Sequence, residues 1–135
     1  MGVSPRVWFG AAAACAAALA LSGCAPGAPS GSGNPVATFE VQGESYKIEL
    51  ATPELVDHVR QLMAGDEVAS IPNGLVVRDD PGPNEPWSWH IDPASLEFAD
   101  ATTEVCDGLP SDVEDATITS DRYCPWSAVV TDLDE

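Results

Sequence analysis

The chain has 135 residues, enough for one small domain, and carries 22 acidic side chains against five lysine and arginine residues. Its formal net charge of −17 repels phosphate backbones, which argues against DNA- and RNA-binding functions. The charge fits two interpretations equally well: solubility in the surroundings of the cell, or attraction to a cationic partner.

The first 23 residues have the layout of a bacterial export signal. Arg6 supplies a positive charge, and residues 7–21 form an apolar run too short and too rich in alanine for a good membrane-spanning helix. Leu21-Ser22-Gly23-Cys24 resembles the lipobox of bacterial lipoproteins, in which small residues precede a cysteine that receives a diacylglyceryl group. We therefore expect cleavage before Cys24, lipidation of Cys24 and anchoring at the extracytoplasmic face of the cell membrane. The alternative is an ordinary signal peptide that happens to contain a cysteine.

The segment after Cys24 predicts a tether. Residues 25–35 consist of Pro, Gly, Ser, Ala and Asn, and these side chains bury too little apolar surface to offset the entropy of ordering. The expected organisation is a signal peptide at 1–23, the lipidated Cys24 with its tether at 24–35, and one domain at 36–135. Four basic and 22 acidic side chains remain after cleavage, a net charge of −18.

The first part of the domain predicts a β-hairpin and then a helix. Apolar and polar residues alternate in two runs within 36–50, with a turn at 42–45. Thr52 followed by proline predicts a helix over 53–64, and Gly65 can end it in the left-handed conformation. The helical residues expected to face the sheet are Leu55, Val59, Leu62 and Met63, whereas His58 is expected on the solvent side.

The remaining elements are short. A strand at 75–77, a proline-rich loop at 79–86, strands at 87–91 and 95–98 around an Asp92-Pro93 turn, a helical turn over 112–115 capped by Ser111, and a strand at 126–130 are predicted. Strands that surround one main helix predict an α+β fold, with a small antiparallel sheet and the helix packed on one of its faces.

Two cysteines remain for the domain once Cys15 is removed with the signal and Cys24 is lipidated. Cys106 and Cys124 can pair in one way, and disulfides persist outside the cytoplasm. Such a disulfide stabilises by about 3 kcal/mol in the chain-entropy treatment. The competing interpretation is a metal-binding or catalytic thiol, but neither cysteine has a second cysteine at CxxC spacing.

His90 is the first candidate for catalysis, because Ser88 and Asp92 share its face if this segment is a strand. Neighbours on one face lie about 6.5–7 Å apart, which gives a row of side chains and not a hydrogen-bonded triad. The alternative, which we favour, is a structural histidine bonded to a backbone carbonyl or to Asp107. We predict no catalytic residues, and the carboxylate clusters lack the pattern of a calcium loop, so no metal or other cofactor is predicted.

Tryptophans are the second candidate feature. They can form a stacking surface for a sugar or a peptide, although in small domains they more often belong to the core. The candidate binding surface consists of Trp87, Trp89, His90, Asp92, Asp107 and Trp126.

Three motifs, Trp87 to Pro93, Val105-Cys106-Asp107 and Cys124-Pro125-Trp126-Ser127, give the chain a resemblance to a known family. With the hairpin and the helical segment PELVDHVRQLMAG, they are similar to the BP-seventy-four N-terminal domain family over about residues 37–131. The loop before Trp87 departs from the family pattern, with Pro-Asn-Glu-Pro in place of Tyr-Asn-Pro-Gly. The resemblance implies a fold and an extracellular setting but no catalysis. The family is named after a eukaryotic calmodulin-binding protein, and so acidic a domain is a poor ligand for acidic calmodulin.

These observations favour a lipid-anchored, extracytoplasmic binding module whose partner is an envelope or extracellular protein or a glycan. One alternative is a small hydrolytic or metal-assisted enzyme that uses His90 and Asp92. Another is an inhibitor of secreted proteases, a role that small disulfide-containing domains often have.

Overall fold

The computed structural model describes residue 2 and residues 33–135. The predicted signal peptide (apart from residue 2), Cys24 and most of the predicted tether lie outside the described residues. The strands are β1 (Val36–Val41), β2 (Glu44–Glu49), β3 (Ile71–Arg78), β4 (Trp89–Ile91), β5 (Glu97–Ala99), β6 (Arg122–Tyr123) and β7 (Val129–Asp134), and the α-helices are α1 (Pro53–Ala64) and α2 (Pro110–Glu114). The predicted α+β class is confirmed.

The hairpin of β1 and β2 is confirmed, with a tighter turn than predicted. Gln42 and Gly43 alone connect the strands, and both have positive φ, 50° and 94°. Two consecutive positive φ values are the geometry of the type I′ turn, whose twist matches that of paired strands. The register places Phe39 opposite Tyr46, and both side chains are buried.

Helix α1 has the predicted bounds and caps. The Thr52 side chain accepts a hydrogen bond from the Leu55 backbone N–H, and Gly65 ends the helix at φ 82°. The face of the helix that packs inward differs from the prediction, because Val56 and Val59 are its buried residues. Met63 was predicted to face the sheet but is 49% exposed.

The strands form two antiparallel sheets. One has the order β2-β1-β7, and in the other β3 pairs with β4, β5 and β6. Between β4 and β5 the chain makes a 3-10 turn at Pro93–Ser95. There the Ser95 hydroxyl accepts a hydrogen bond from the Leu75 N–H, while the Asp92 N–H donates to the Leu75 carbonyl. The turn therefore satisfies the hydrogen-bonding groups of Leu75 that neither short strand reaches.

Close packing around β3 requires a glycine at position 74. A Cβ atom there would lie 2.4 Å from Ile91 Cγ2 and 3.3 Å from Ser95 Oγ. Gly74 also pairs with Tyr123 of β6, so the absence of a side chain lets β4 and the 3-10 turn close over β3.

Aromatic rings form the centre of the core between the sheets. Tyr46 from the first sheet lies 5.3 Å from Tyr123 and 5.9 Å from Trp89, measured between ring centroids. Trp89 and Tyr123 meet edge to face at 5.5 Å. These tilted geometries are the favourable ones for aromatic pairs, and they join the two sheets into one core.

The predicted disulfide between Cys106 and Cys124 is confirmed, with a Cα–Cα distance of 5.1 Å. It connects a 3-10 turn at Glu104–Cys106 to the residue after β6. The Cys124 N–H also donates to the Cys106 carbonyl over 2.8 Å. The linkage therefore holds two irregular segments together where no strand pairing does so.

Several boundaries differ from the prediction. Helix α2 begins at Pro110, and the Ser111 hydroxyl donates to the Glu44 carboxylate instead of capping the helix. Residues 87–88 and 126–128 lie outside the strands predicted to contain them. Among the helices of the described segment, none has the length and apolar character needed to span a bilayer.

Candidate binding site

The structure separates the six residues of the predicted binding surface. Trp89 is buried in the aromatic core at 1% exposure, so it offers no surface to a ligand. Trp126 is 44% exposed. Its indole N–H donates to Thr102 Oγ1 over 2.6 Å, and its backbone N–H donates to Asp107 Oδ1 over 2.8 Å. Trp126 and Asp107 therefore belong to the segments that the disulfide joins.

His90 has a structural partner, as the favoured alternative predicted. Its Nδ1 lies 2.7 Å from the Asp80 carbonyl oxygen, which can only accept, so Nδ1 carries the proton and donates it. The side chain is 15% exposed. The Asp107 carboxylate, the other partner considered for His90, is engaged by Trp126.

The neighbours of His90 also point to other partners. The Ser88 hydroxyl donates to Glu114 Oε1, and the Ser88 N–H donates to Glu114 Oε2. Asp92 Oδ1 accepts from the Ala94 N–H at the start of the 3-10 turn. The hydrogen bonds of Ser88, His90 and Asp92 thus each stabilise a loop or turn, and they do not connect these three residues as a catalytic triad does.

His58 lies in contact with the second sheet and not on the solvent side as predicted. Its ring stacks on Phe98 at a centroid distance of 4.3 Å, and its Nε2 lies 2.6 Å from the Ala69 carbonyl oxygen. A hollow of about 400 Å³ next to it is lined by Leu55, Phe98 and Pro93 among others. His58 therefore joins α1 to β5.

Trp87 lines the most distinct surface feature near the predicted site. We call this feature the Trp87 cleft; its volume is about 750 Å³ and it is lined by Asp79, Pro81, Glu85, Pro86, Trp87 and Ser88. Trp87 is half-buried, and its indole N–H donates to the Ser45 carbonyl over 2.8 Å. That bond fixes the ring, so the cleft has an apolar wall of one tryptophan and two prolines, with two carboxylates on its rim.

A buried asparagine, which the sequence pattern did not reveal, organises the loop that forms the cleft. Asn84 is 1% exposed; its Oδ1 accepts from the Lys47 N–H over 2.7 Å, and its Nδ2 donates to the Trp89 carbonyl over 2.8 Å. The Asn84 N–H donates to the Pro81 carbonyl, and the Asn84 carbonyl accepts from the Trp87 N–H. The only sequence signal for this role was an asparagine among prolines, in a loop with few backbone donors.

The loop also contains two residues in the left-handed region. Asp79 has φ 61° and Gly82 has φ 49°. An aspartate tolerates this conformation better than most residues with a side chain, and glycine tolerates it without strain. Together with Asn84, these turns give the loop a defined shape before any ligand arrives.

The basic side chains of the domain have internal partners at three positions. Arg78 donates to the carbonyls of Val113 and Ile118, Arg122 bonds to Asn73 and Glu97, and Arg60 pairs with Asp57 and Glu135. Within residues 33–135, no three His, Cys, Asp or Glu side chains converge as a metal site requires. The acidic rim of the Trp87 cleft is therefore best matched by an organic cation.

Comparison with known proteins places this arrangement in a family. A family model described as the BP-seventy-four N-terminal domain matches residues 35–135, which covers every strand and helix described above. No curated protein and no solved structure matches the chain.

Proposed function

We propose that this protein, which belongs to the BP-seventy-four N-terminal domain family, is a lipid-anchored extracytoplasmic module that binds an envelope or extracellular partner. The observation that carries the proposal is the Trp87 cleft, an aromatic recess on a loop that the buried Asn84 holds in place. Rigid aromatic side chains at a surface recess are typical anchors of binding sites, because little conformational entropy is lost on binding.

A non-catalytic role is supported by the hydrogen bonds of the catalytic candidates. His90 Nδ1 donates to the Asp80 carbonyl, and Ser88 and Asp92 are bonded elsewhere. A nucleophile needs a base within about 2.6–3.2 Å that is free to accept its proton. If a His90→Ala variant that still folds loses a hydrolytic activity of the wild-type protein, the enzymatic alternative replaces this proposal.

The proposed anchor is consistent with the position of the cleft. The tether would enter at Asn34 and Pro35, beside the pairing of Val36 with Glu49 and Asp134. The Gln42-Gly43 turn is at the opposite end of β1, about 17 Å away for six residues of strand. Trp87 is bonded to Ser45 next to that turn, so a membrane anchor at Cys24 leaves the cleft directed away from the bilayer.

The anchor is tested by metabolic labelling with a palmitate analogue and by fractionation of cells. Cys24→Ser should abolish the label and release the protein from the membrane fraction. Cys15→Ser, in the segment removed with the signal, is the matched control and should retain both. A Cys24→Ser protein that remains labelled and membrane-bound would contradict the anchor.

Binding is tested with the purified lipoprotein in detergent, by sedimentation with purified cell-wall sacculi and by cross-linking on intact cells. We expect saturable binding to one of these envelope fractions. Absence of saturable binding to both would contradict the proposed role as a binding module.

A further inference from the structure

We infer that the Trp87 cleft binds a lysine or arginine side chain presented by a basic polypeptide segment. This inference rests on the proposed binding role and specifies its ligand. The cation would lie against the tryptophan ring between the carboxylates of Asp79 and Glu85, which line the same recess.

The composition of the cleft carries the first step. Its six lining residues include two carboxylates and no basic side chain, and their apolar part consists of Trp87, Pro81 and Pro86. Long basic side chains have an apolar stem and a charged end, so they bury the stem on such a wall while the charge stays at the rim. An acidic rim beside an apolar wall matches both parts of a lysine or arginine.

The orientation of Trp87 carries the second step. Its indole N–H is already bonded to the Ser45 carbonyl, so the edge of the ring is occupied and its face remains for a ligand. The negative potential of an aromatic face attracts cations, and tryptophan is the best of the aromatic residues in this respect. The nearby carboxylates act in the same direction.

The preformed loop carries the third step. Asn84 connects the loop to β2 through Lys47 and to β4 through Trp89, and the Ser88 hydroxyl and N–H are both held by Glu114. The two carboxylates are therefore attached to a backbone that does not need to reorganise when a ligand binds. A volume of about 750 Å³ exceeds what one side chain needs, so the cleft has room for part of the backbone that presents it.

Charge selects a polypeptide cation over the other common envelope polymers. Wall and membrane polymers that contain phosphate would be repelled by a domain with 22 acidic side chains. A neutral sugar would use the aromatic face but gain nothing from Asp79 and Glu85. A basic segment uses all three residues.

The test uses the full lipoprotein in detergent, labelled with ¹⁵N-tryptophan, so that the indole N–H signals of Trp87, Trp89 and Trp126 are separate reporters. The probe is tri-lysine with blocked termini, and blocked tri-glutamine is the uncharged comparison. We expect tri-lysine to shift the Trp87 signal in a saturable manner, with little change at Trp126, and tri-glutamine to shift neither. A larger shift at Trp126 than at Trp87 would overturn the inference.

The decisive variant is Asp79→Asn combined with Glu85→Gln. Asparagine tolerates the positive φ of position 79, so the backbone is preserved while two charges are removed. We expect binding of tri-lysine to weaken about tenfold, equivalent to about 1.4 kcal/mol. The matched control, Asp132→Asn with Asp134→Asn on exposed positions of β7, removes the same charge and should change binding less than about twofold.

Equal weakening in both pairs of variants would show that tri-lysine responds to net charge alone, which overturns the inference. The two proposals fail separately. If sacculi or envelope proteins bind the lipoprotein but the Asp79 and Glu85 variant binds them as wild type does, the inference fails and the binding role stands. If tri-lysine shifts Trp87 but no envelope fraction binds, the binding role in the envelope fails and the ligand preference stands.

Discussion

Two surface regions of the domain each carry a tryptophan whose indole N–H is hydrogen-bonded, but they are held in different ways. The Trp87 loop (residues 79–88) is fixed by hydrogen bonds from the buried Asn84 and from Glu114. The disulfide loop (residues 102–107 with 124–126) is fixed by the Cys106–Cys124 bond and carries Trp126. In the first, polar contacts with the core define a recess, whereas in the second a covalent bond supports an exposed ring.

The comparison shows how a small domain can order irregular segments with little core beneath them. Val105, at 71% exposure, and Trp126 are large apolar residues left at the surface by the disulfide loop. The Trp87 loop instead places Asn84 inside the protein and thereby draws its backbone onto β2 and β4. Each mechanism can be removed without the other, which gives the following predictions.

The largest expected effect comes from removing the disulfide. Replacing both Cys106 and Cys124 by Ala should lower the free energy of unfolding by about 3 kcal/mol, because the unfolded chain loses an 18-residue cross-link. Chemical denaturation measures the change, and the indole signal of Trp126 should shift while that of Trp87 stays in place. A shift of both signals would show that the two loops are not independent.

Alkaline pH should weaken both regions. Each contains or adjoins a buried tyrosine, and burial raises the pKa of Tyr46 and of Tyr123 above the ordinary value near 10. Above pH 10 the unfolded chain loses these protons and the folded chain keeps them, so stability present at neutral pH is lost as pH rises. We expect a loss of about 1.4 kcal/mol per pH unit for each tyrosine, measured by denaturation between pH 9 and 11. A flat profile over this range would contradict the prediction.

Asn84→Ala should lower the free energy of unfolding by about 2 kcal/mol, because the Lys47 N–H and the Trp89 carbonyl lose their side-chain partner. Binding of tri-lysine should weaken as the cleft loses its shape. Asn34→Ala is the control, since the side chain of Asn34 bonds to Glu49 at the surface, and we expect less than about 0.5 kcal/mol there. Similar losses in the two variants would mean that Asn84 does not organise the loop.

The smallest expected effect separates the two buried tyrosines. The Tyr123 hydroxyl donates to the Gly108 carbonyl over 2.9 Å, whereas the Tyr46 hydroxyl is buried without a partner among the described residues. Tyr123→Phe should therefore cost about 1 kcal/mol, and Tyr46→Phe should be neutral or stabilising. Both are measured by thermal and chemical denaturation; a larger loss for Tyr46→Phe would show that its hydroxyl has a partner in solution.

The sequence predicted the elements that depend on local chemistry. Thr52, Pro53 and Gly65 define α1 within one segment, because caps act on the first and last turns of a helix. The hairpin followed from the alternation of apolar residues in β1 and β2. The pairing of Cys106 with Cys124 followed from counting, since these two alone remained for the domain.

Half of the candidate site was also within reach of the sequence. The aromatic segment from Trp87 to Ile91 was identified as a candidate surface, and His90 was expected to have a structural partner, which the Asp80 carbonyl confirms. The sequence could not tell which tryptophan is buried. Trp87 and Trp89 have the same local pattern, and only the position of β4 against Tyr46 and Tyr123 places Trp89 in the core.

The sequence by itself therefore determined the hairpin, the main helix, the disulfide and the acidic character of the surface. Tertiary structure alone decided the division of the strands into two sheets, the burial of Asn84 and the formation of the Trp87 cleft. The physical reason is range. Caps, turns and alternation depend on neighbours a few residues apart, whereas Asn84 obtains its role from Lys47, which is 37 residues away in the chain.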